Sequence, residues 1–372
     1  MAKSSNKAAT EKKKKKYVNP MGEEVNHRCY GKFLRETMKE VRLSAQHLSL
    51  LYKTPFHPFL EMPDIHCEGH LVEKICRCYV ADDKFVFAGI TCTFSKEEVA
   101  LITGLPFHGK AIDLKSKKTS DFWLLNKHFP ESKALRRRDL KSKLIELCKS
   151  KEEEDIQDFV RILIFHMCST FLLPNKGYAC PSNVTKYVDD LEATWDFSWA
   201  SAVHDMLMED LRLFSQRIRR RDAGEVGVSL GYISGCTAAL MVWFYEHSRM
   251  RKPSAYGLFP RMVRWVRSED KSPLVRLSEK FHLLTAEQVY PELLIRQDEE
   301  HLFRPHEAKL IADKFNMKAI EKGRMEEDHE SGPWLFRPQF TEINRLFAKW
   351  GQRSSRRALH SVNGTSGDVS VI

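Results

Sequence analysis

His66, Cys67, His70, Cys76 and Cys78 place five side chains of the types that bind zinc within 13 residues. A structural zinc needs four such donors converging tetrahedrally, and this spacing fits no finger or knuckle pattern. A helix over 70–79 would point Cys76 and Cys78 about 200° apart, so they could not share an ion with the others. These residues are therefore expected to be dispersed core and surface side chains, with no metal and no cofactor. A second near-motif, Gly104-Leu105-Pro106-Phe107-His108-Gly109-Lys110-Ala111, nearly spells the phosphate-cradling GxxxxGK[ST] loop. Ala111 stands where a magnesium-binding hydroxyl is required, and a helix rather than a strand is expected before the loop. Its predicted role is mechanical: Gly104 closes that helix in left-handed geometry and Pro106 fixes the exit direction.

His166 and Cys168 sit close together on an apolar stretch. A nucleophilic dyad needs spatial pairing that adjacency does not supply, and a buried, hydrogen-bonded histidine is expected instead. No HExxH and no GxGxxG occurs, so metalloprotease and dinucleotide chemistry have no local support, and no hydrolase elbow is expected. Arg136 to Arg138 and the group Arg217, Arg219, Arg220 and Arg221 could form a nucleic-acid face only by converging. Helix-dipole complementarity accounts for the second group without a ligand.

The elements that must position these residues are mostly helical. Phe33, Leu34, Met38, Val41, Ala45, Leu48 and Leu51 recur at helical steps from about Tyr30 to Tyr52, and Thr54, Pro55 and Pro58 end the run. A helix over 70–79 follows, and Phe85, Phe87, Ile90, Cys92 and Phe94 around Ala88-Gly89 predict a β-hairpin. Ser95 and Glu98 form a capping-box pattern for a helix ending at Gly104. Further helices are expected over 138–149, 158–172, 183–193, 198–218 and 232–248, with lesser ones over 306–315 and 339–349. Residues 226–245 carry no charge, but their glycines, serines and threonine point to a buried central helix rather than a membrane span. The expected fold is mainly α, one large helical domain with a small β-hairpin. The core covers 21–265, a peripheral helical extension covers 266–350, and disordered tails cover 1–20 and 351–372.

With 42% hydrophobic and 30% charged residues, the 372-residue chain is an ordinary folded composition, which excludes collagen-like and wholly disordered classes. Its net charge of +10 lies mainly at the ends: residues 1–20 carry +6 and residues 351–372 carry +2. A near-neutral body argues against a broad phosphate-binding surface. The run Lys12, Lys13, Lys14, Lys15 and Lys16 has the form that nuclear import receptors grip, so nuclear localisation is expected. Nine cysteines without an apolar leader suit a reducing compartment.

Three stretches then stand out together: FVFAGITCTFSKEEVALITGLPFHGKAI (85–112), DFVRILIFHMCSTFLLPNKG with VTKYVDDLEATWDFSWASAVHDMLMEDL (158–211), and GYISGCTAALMVWFYEH (231–247). In this order they resemble the plant mobile domain, also called the aminotransferase-like plant mobile domain, a family carried by plant transposable elements and host genes derived from them. The resemblance rests on Glu98, Val99, Leu101, Gly104, Leu105, Pro106 and Gly109, on Trp199, Ala200 and Ser201, and on Trp243, Glu246 and His247. ALITGL is also similar to the related domain that precedes SUMO-protease-like regions in plant transposon genes. The resemblance implies a non-enzymatic nuclear module linked to transposon silencing or meristem maintenance, in which the motif positions serve as core and turn elements. Protein partners are expected, nucleic acid is the alternative partner, and neither a membrane nor a small-molecule substrate is expected.

Overall fold

The computed structural model describes residues 25–61, 65, 67–116, 122–131, 134–177, 179–253, 258–265 and 277–304. Lys12 to Lys16, both expected tails, His66 and the helices expected over 306–315 and 339–349 lie outside the described residues.

The fold is mainly α. After the short strand β1 (Asn26–His27), the apolar run expected as one helix divides into α1 (Gly31–Glu40) and α2 (Ala45–Tyr52). The break has a local cause. The Ser44 hydroxyl accepts from the His47 amide at 3.2 Å and His47 Nδ1 accepts from the Ser44 amide at 3.1 Å, an imidazole version of the capping box. Helix α3 (Gly69–Arg77) falls as expected, and β2 (Lys84–Phe87) pairs antiparallel with β3 (Ile90–Thr93). Ala88 and Gly89 both have positive φ, 48° and 86°, the twist that a two-residue hairpin turn needs.

Helix α4 (Lys96–Thr103) follows, then α5 (Trp123–His128), which the apolar pattern did not announce. Helix α6 (Arg137–Leu147) packs on α7 (Glu153–Met167), and α7 widens into a π turn over Cys168–Leu172. Residues 183–193 do not form the expected helix. Two 3₁₀ stretches, Ser182–Tyr187 and Glu192–Asp196, replace it, because the Asp190 carboxylate accepts from the amides of Glu192 and Ala193 and starts a turn instead.

Helix α8 (Trp199–Asp222) is the longest element among the described residues. The uncharged stretch 226–245 is only partly helical: β4 (Tyr232–Ile233) pairs parallel with β1, and α9 begins at Thr237 and runs to His247. Helix α9 is apolar all round, and every residue from Thr237 to Tyr245 is buried, so it is the central helix of the core. Among the described residues no helix is long and apolar enough to cross a membrane. Gly235 makes this burial feasible: at φ +83° a Cβ there would lie 2.9 Å from the backbone of Leu207 in α8.

Trp243 of α9 packs among Phe85, Phe94 and Phe87, with ring centroids 5.0, 5.2 and 5.7 Å away. Each such buried ring contributes on the order of 1.5–3 kcal/mol. Beyond the core, α10 (Leu277–Lys280) and three 3₁₀ turns ending at Phe303 run back across it, with Val289 and Leu302 buried and an antiparallel bridge between Ser248 and Val289.

Candidate functional site

The residues of the sequence motif fall on α4 and the loop after it, on the start of α8 and on the end of α9. Ser95 caps α4 by accepting from the Glu98 amide at 3.2 Å, but the Glu98 side chain does not complete the capping box by returning to the Ser95 backbone. It turns inward instead. Its carboxylate accepts from Trp243 Nε1 at 2.6 Å and lies 3.2 Å from His247 Nε2. His247 Nδ1 donates to the Tyr290 carbonyl at 2.5 Å. Both ring nitrogens thus face acceptor oxygens, and neither is left as a base for a substrate. The desolvated indole explains the bond: a Trp N–H inside a core requires an acceptor.

Glu246, the neighbour of His247, faces the other way. It accepts from Trp265 Nε1 at 2.9 Å and lies 3.3 and 3.4 Å from Arg261 and Arg264. The same two guanidinium groups meet Glu299 at 2.7 and 2.8 Å, and Arg296 approaches Glu299 at 3.1 Å. Glu299 is fully buried. Burial alone would raise its carboxyl, but the hydrogen bonds and charge of Arg261, together with Arg296, outweigh it and hold the group below the usual carboxylate range. This network fastens residues 290–303 to the core. It could not be read from spacing, because Arg261, Arg264 and Glu299 carry no local pattern and meet only through the fold.

At the other end of α4, Gly104 caps the helix in left-handed geometry, as expected. The chain then clamps the start of α8. The Pro106 carbonyl accepts from Ala200 N at 2.9 Å, the Phe107 carbonyl from Ser198 Oγ at 2.5 Å, and Lys110 N donates to the Asp196 carbonyl at 2.7 Å. Gly109 has φ +106°, and a Cβ there would lie 2.3 Å from the Asp196 oxygen, so only glycine fits. Leu105 is buried, and Trp199, also buried, donates from Nε1 to the Thr194 carbonyl at 2.8 Å. The Lys110 amide, one of those a phosphate would need, is spent on this clamp.

The other sequence candidates disperse. Cys76 is buried, Cys78 is half-buried, and burial pushes the Cys78 thiol up to about 11, against the thiolate that a metal requires. Among the described residues no group of three His, Cys, Asp or Glu side chains is arranged to hold a metal ion. His166 is fully buried between Thr37 Oγ1 at 3.2 Å and Thr170 Oγ1 at 3.4 Å, and burial lowers it to about 3. Burial raises the Cys168 thiol, so the two form no activated pair.

Several of these arginines are occupied by the fold, and the two groups lie on different elements, α6 and α8. Arg137 donates to the Ser169 carbonyl at 2.7 Å, Arg219 to the Tyr79 carbonyl at 2.6 Å, and Arg221 to Glu73 at 2.7 Å. Gly227-Val228-Ser229-Leu230-Gly231 spells GxSxG, but its setting is not that of a hydrolase elbow. It follows a helix and precedes a two-residue strand, whereas a nucleophile elbow needs the strand first and the helix after.

The polar groups of the motif can therefore hold elements together, and the described geometry leaves none of them facing a reactant. The family model of a domain of unknown function (DUF8566) matches residues 27–241, which takes in α4, the clamp loop, α8 and the first half of α9. No curated protein and no solved structure matches the chain.

Proposed function

We propose, for a chain that belongs to the DUF8566 family, a non-enzymatic role as an interaction module of the plant mobile domain type, acting in the nucleus in transposon silencing or meristem maintenance. The observation that supports this reading is the inward use of the motif. Glu98, Trp243, Glu246 and His247 bond to one another or to Tyr290, Arg261, Arg264 and Trp265, and Gly104 to Gly109 grip α8. Residues employed in this way define a scaffold, and recognition falls to the outer surface that the scaffold carries. Entry to the nucleus is assigned to Lys12 to Lys16.

Deleting residues 1–20 tests the address: a fluorescent fusion should lose nuclear enrichment while its circular dichroism and melting stay unchanged. Undiminished nuclear accumulation removes the lysine run from the proposal. Affinity purification of the full chain from plant nuclei, with and without nuclease, tests the role. Protein partners that survive nuclease support the module. Partners that vanish with nuclease support the second reading, a sequence-nonspecific nucleic-acid-binding protein of a plant transposable element, which the +6 charge of residues 1–20 favours.

A further inference from the structure

Around the short parallel pair of β1 and β4, exposed aromatic rings and arginines stand against one another. Tyr232, the first residue of β4, is 38% exposed, and the Arg28 guanidinium lies 4.2 Å from the centre of its ring. Tyr30, which leads into α1, is also 38% exposed, and its ring centre is 5.5 Å from the guanidinium of Arg137, the first residue of α6. Further along both helices, Lys141 stands 5.5 Å from the half-buried ring of Phe33. Arg28 and Arg137 are close enough to repel each other, so the two ring-and-cation pairs form one continuous strip that Phe33 and Lys141 extend.

The charges of this strip are not balanced from within. Arg137 is half-buried, donates from Nε to the Ser169 carbonyl at 2.7 Å, and has no carboxylate partner among the described residues. Arg161, whose guanidinium stands 5.3 Å from the Trp123 ring, shows the ordinary alternative: it bonds to Asp158 at 2.9 Å. Countercharge lies only at the margins, Glu40 on Lys141 and Asp210 on Lys176, each at 2.7 Å. Burial, reinforced by the like charge of Arg28, weakens the hold of Arg137 on its proton, and an anion placed against the pair would relieve both. The rings are also set firmly. The Tyr30 amide donates to the Thr170 carbonyl at 2.9 Å, and Tyr232 is the register partner of Asn26. Arg217 donates to the Leu230 carbonyl at 3.2 Å, two residues before Tyr232, so one member of each arginine group borders the β1–β4 pair. Exposed cation–π contacts add little to stability, which leaves an uncompensated guanidinium between two outward tyrosines without a structural purpose.

We propose that this strip binds a single strand of nucleic acid, with bases stacked on Tyr30 and Tyr232 and the phosphate between them on Arg137, the charge of Arg28 standing behind it. Every base has a face that an aromatic ring can take whatever the sequence, and a guanidinium grips phosphate in a fork. DNA and RNA share this chemistry. A duplex keeps its bases stacked on one another and leaves the tyrosines unused, and an acidic peptide satisfies the arginine but not the rings. The inference deepens the second reading given above by placing a site on the folded body, apart from Lys12 to Lys16.

The test is fluorescence anisotropy of the full-length chain with labelled oligothymidine and oligouridine, each also offered as a duplex with its complement, over a range of salt. Both single strands should bind about tenfold or more tighter than the duplexes. Tyr30→Ala and Tyr232→Ala should each weaken single-strand binding by about fivefold or more, while Tyr30→Phe and Tyr232→Phe keep it, because the ring is what stacks. Arg137→Gln should weaken binding and flatten the slope of log affinity against log salt by about 0.7. Replacing Lys12 to Lys16 by alanine in the full chain should leave the preference for single strands intact. Should a ring or arginine variant fail to fold, photocrosslinking of the unmodified chain to thiouridine-substituted oligouridine decides the matter: the crosslinked peptides should be those holding Tyr30 and Tyr232, and crosslinks confined to other peptides overturn the proposal. Equal affinity for duplex, or displacement of the oligonucleotide by polyglutamate at equal charge, also overturns it. Binding that vanishes with the lysine replacement and ignores the ring variants removes the strip while sparing the second reading, and no binding of any oligonucleotide removes both.

Discussion

Replacing Glu98 by alanine removes the only side chain described as joining α4 to both Trp243 and His247. The indole nitrogen of Trp243 lies in a fully buried side chain, and stranding it costs about 1–3 kcal/mol. His247 is equally buried, and loss of the partner of its Nε2 adds a comparable amount, so Glu98→Ala should lose about 2–6 kcal/mol. That is a large part of the ~5–15 kcal/mol that a domain usually has in hand. Glu98→Gln keeps a carbonyl oxygen for Trp243 and should lose less. Glu97 lies in the same first turn but is exposed, so Glu97→Ala should change stability by no more than about 1 kcal/mol. Equilibrium urea unfolding, followed by tryptophan fluorescence and by far-ultraviolet circular dichroism, measures all three. If Glu98→Ala unfolds within about 0.5 kcal/mol of the parent chain, the inward bonds are not what the motif glutamate is for, and the scaffold reading of the motif fails with them.

Three further outcomes are expected. Gly109→Ala drives a Cβ against the Asp196 carbonyl and should cost about 2–4 kcal/mol in urea unfolding, whereas Gly89→Ala, also at positive φ but with open space around it, should cost only about 1 kcal/mol. Glu299→Ala leaves Arg261 and Arg264 buried without their main carboxylate and should cost about 3–5 kcal/mol, together with faster proteolysis within 277–304; unchanged resistance to protease would show that the network does not fasten that segment. His166 titrates near 6.5 when unfolded but at about 3 when folded, so the unfolded chain binds more protons between those values. Its stabilising effect is complete above about pH 6.5 and falls with acidity, by about 2 kcal/mol from pH 7 to pH 5, and His166→Gln should flatten the pH dependence of unfolding by that amount.

Local chemistry made much of the fold legible and long-range chemistry hid the rest. The hairpin around Ala88-Gly89, the Gly104 cap and the burial of 237–245 follow from neighbours in sequence, and the structure holds all three. The break at Ser44 went unseen because His47 replaces the glutamate or glutamine that marks a capping box. Residues 183–193 have helix-like spacing, but Asp190 offers its carboxylate to two backbone amides and the helix loses to a turn. Glu98 was legible only in part: its position near Ser95 was visible, and the competing claim of an indole 145 residues away was not. Arg261, Arg264 and Glu299 could not have been grouped by spacing at all.

The same separation of 145 residues sets a schedule for synthesis. At about 5–20 residues per second, α4 is complete roughly 7–30 s before Trp243 is made. Throughout that interval the carboxylate must stay hydrated at the edge of a half-built core, with the aromatic bed of Phe85, Phe87 and Phe94 open above it. Helix α9 arrives late and greasy on every side, and residues 277–303, which close over it, arrive later still. The nascent chain therefore carries its stickiest element last among the core helices, and a pause after α9 has left the ribosome but before 277–303 has emerged would hold that element bare at the moment when a chaperone has most to shield.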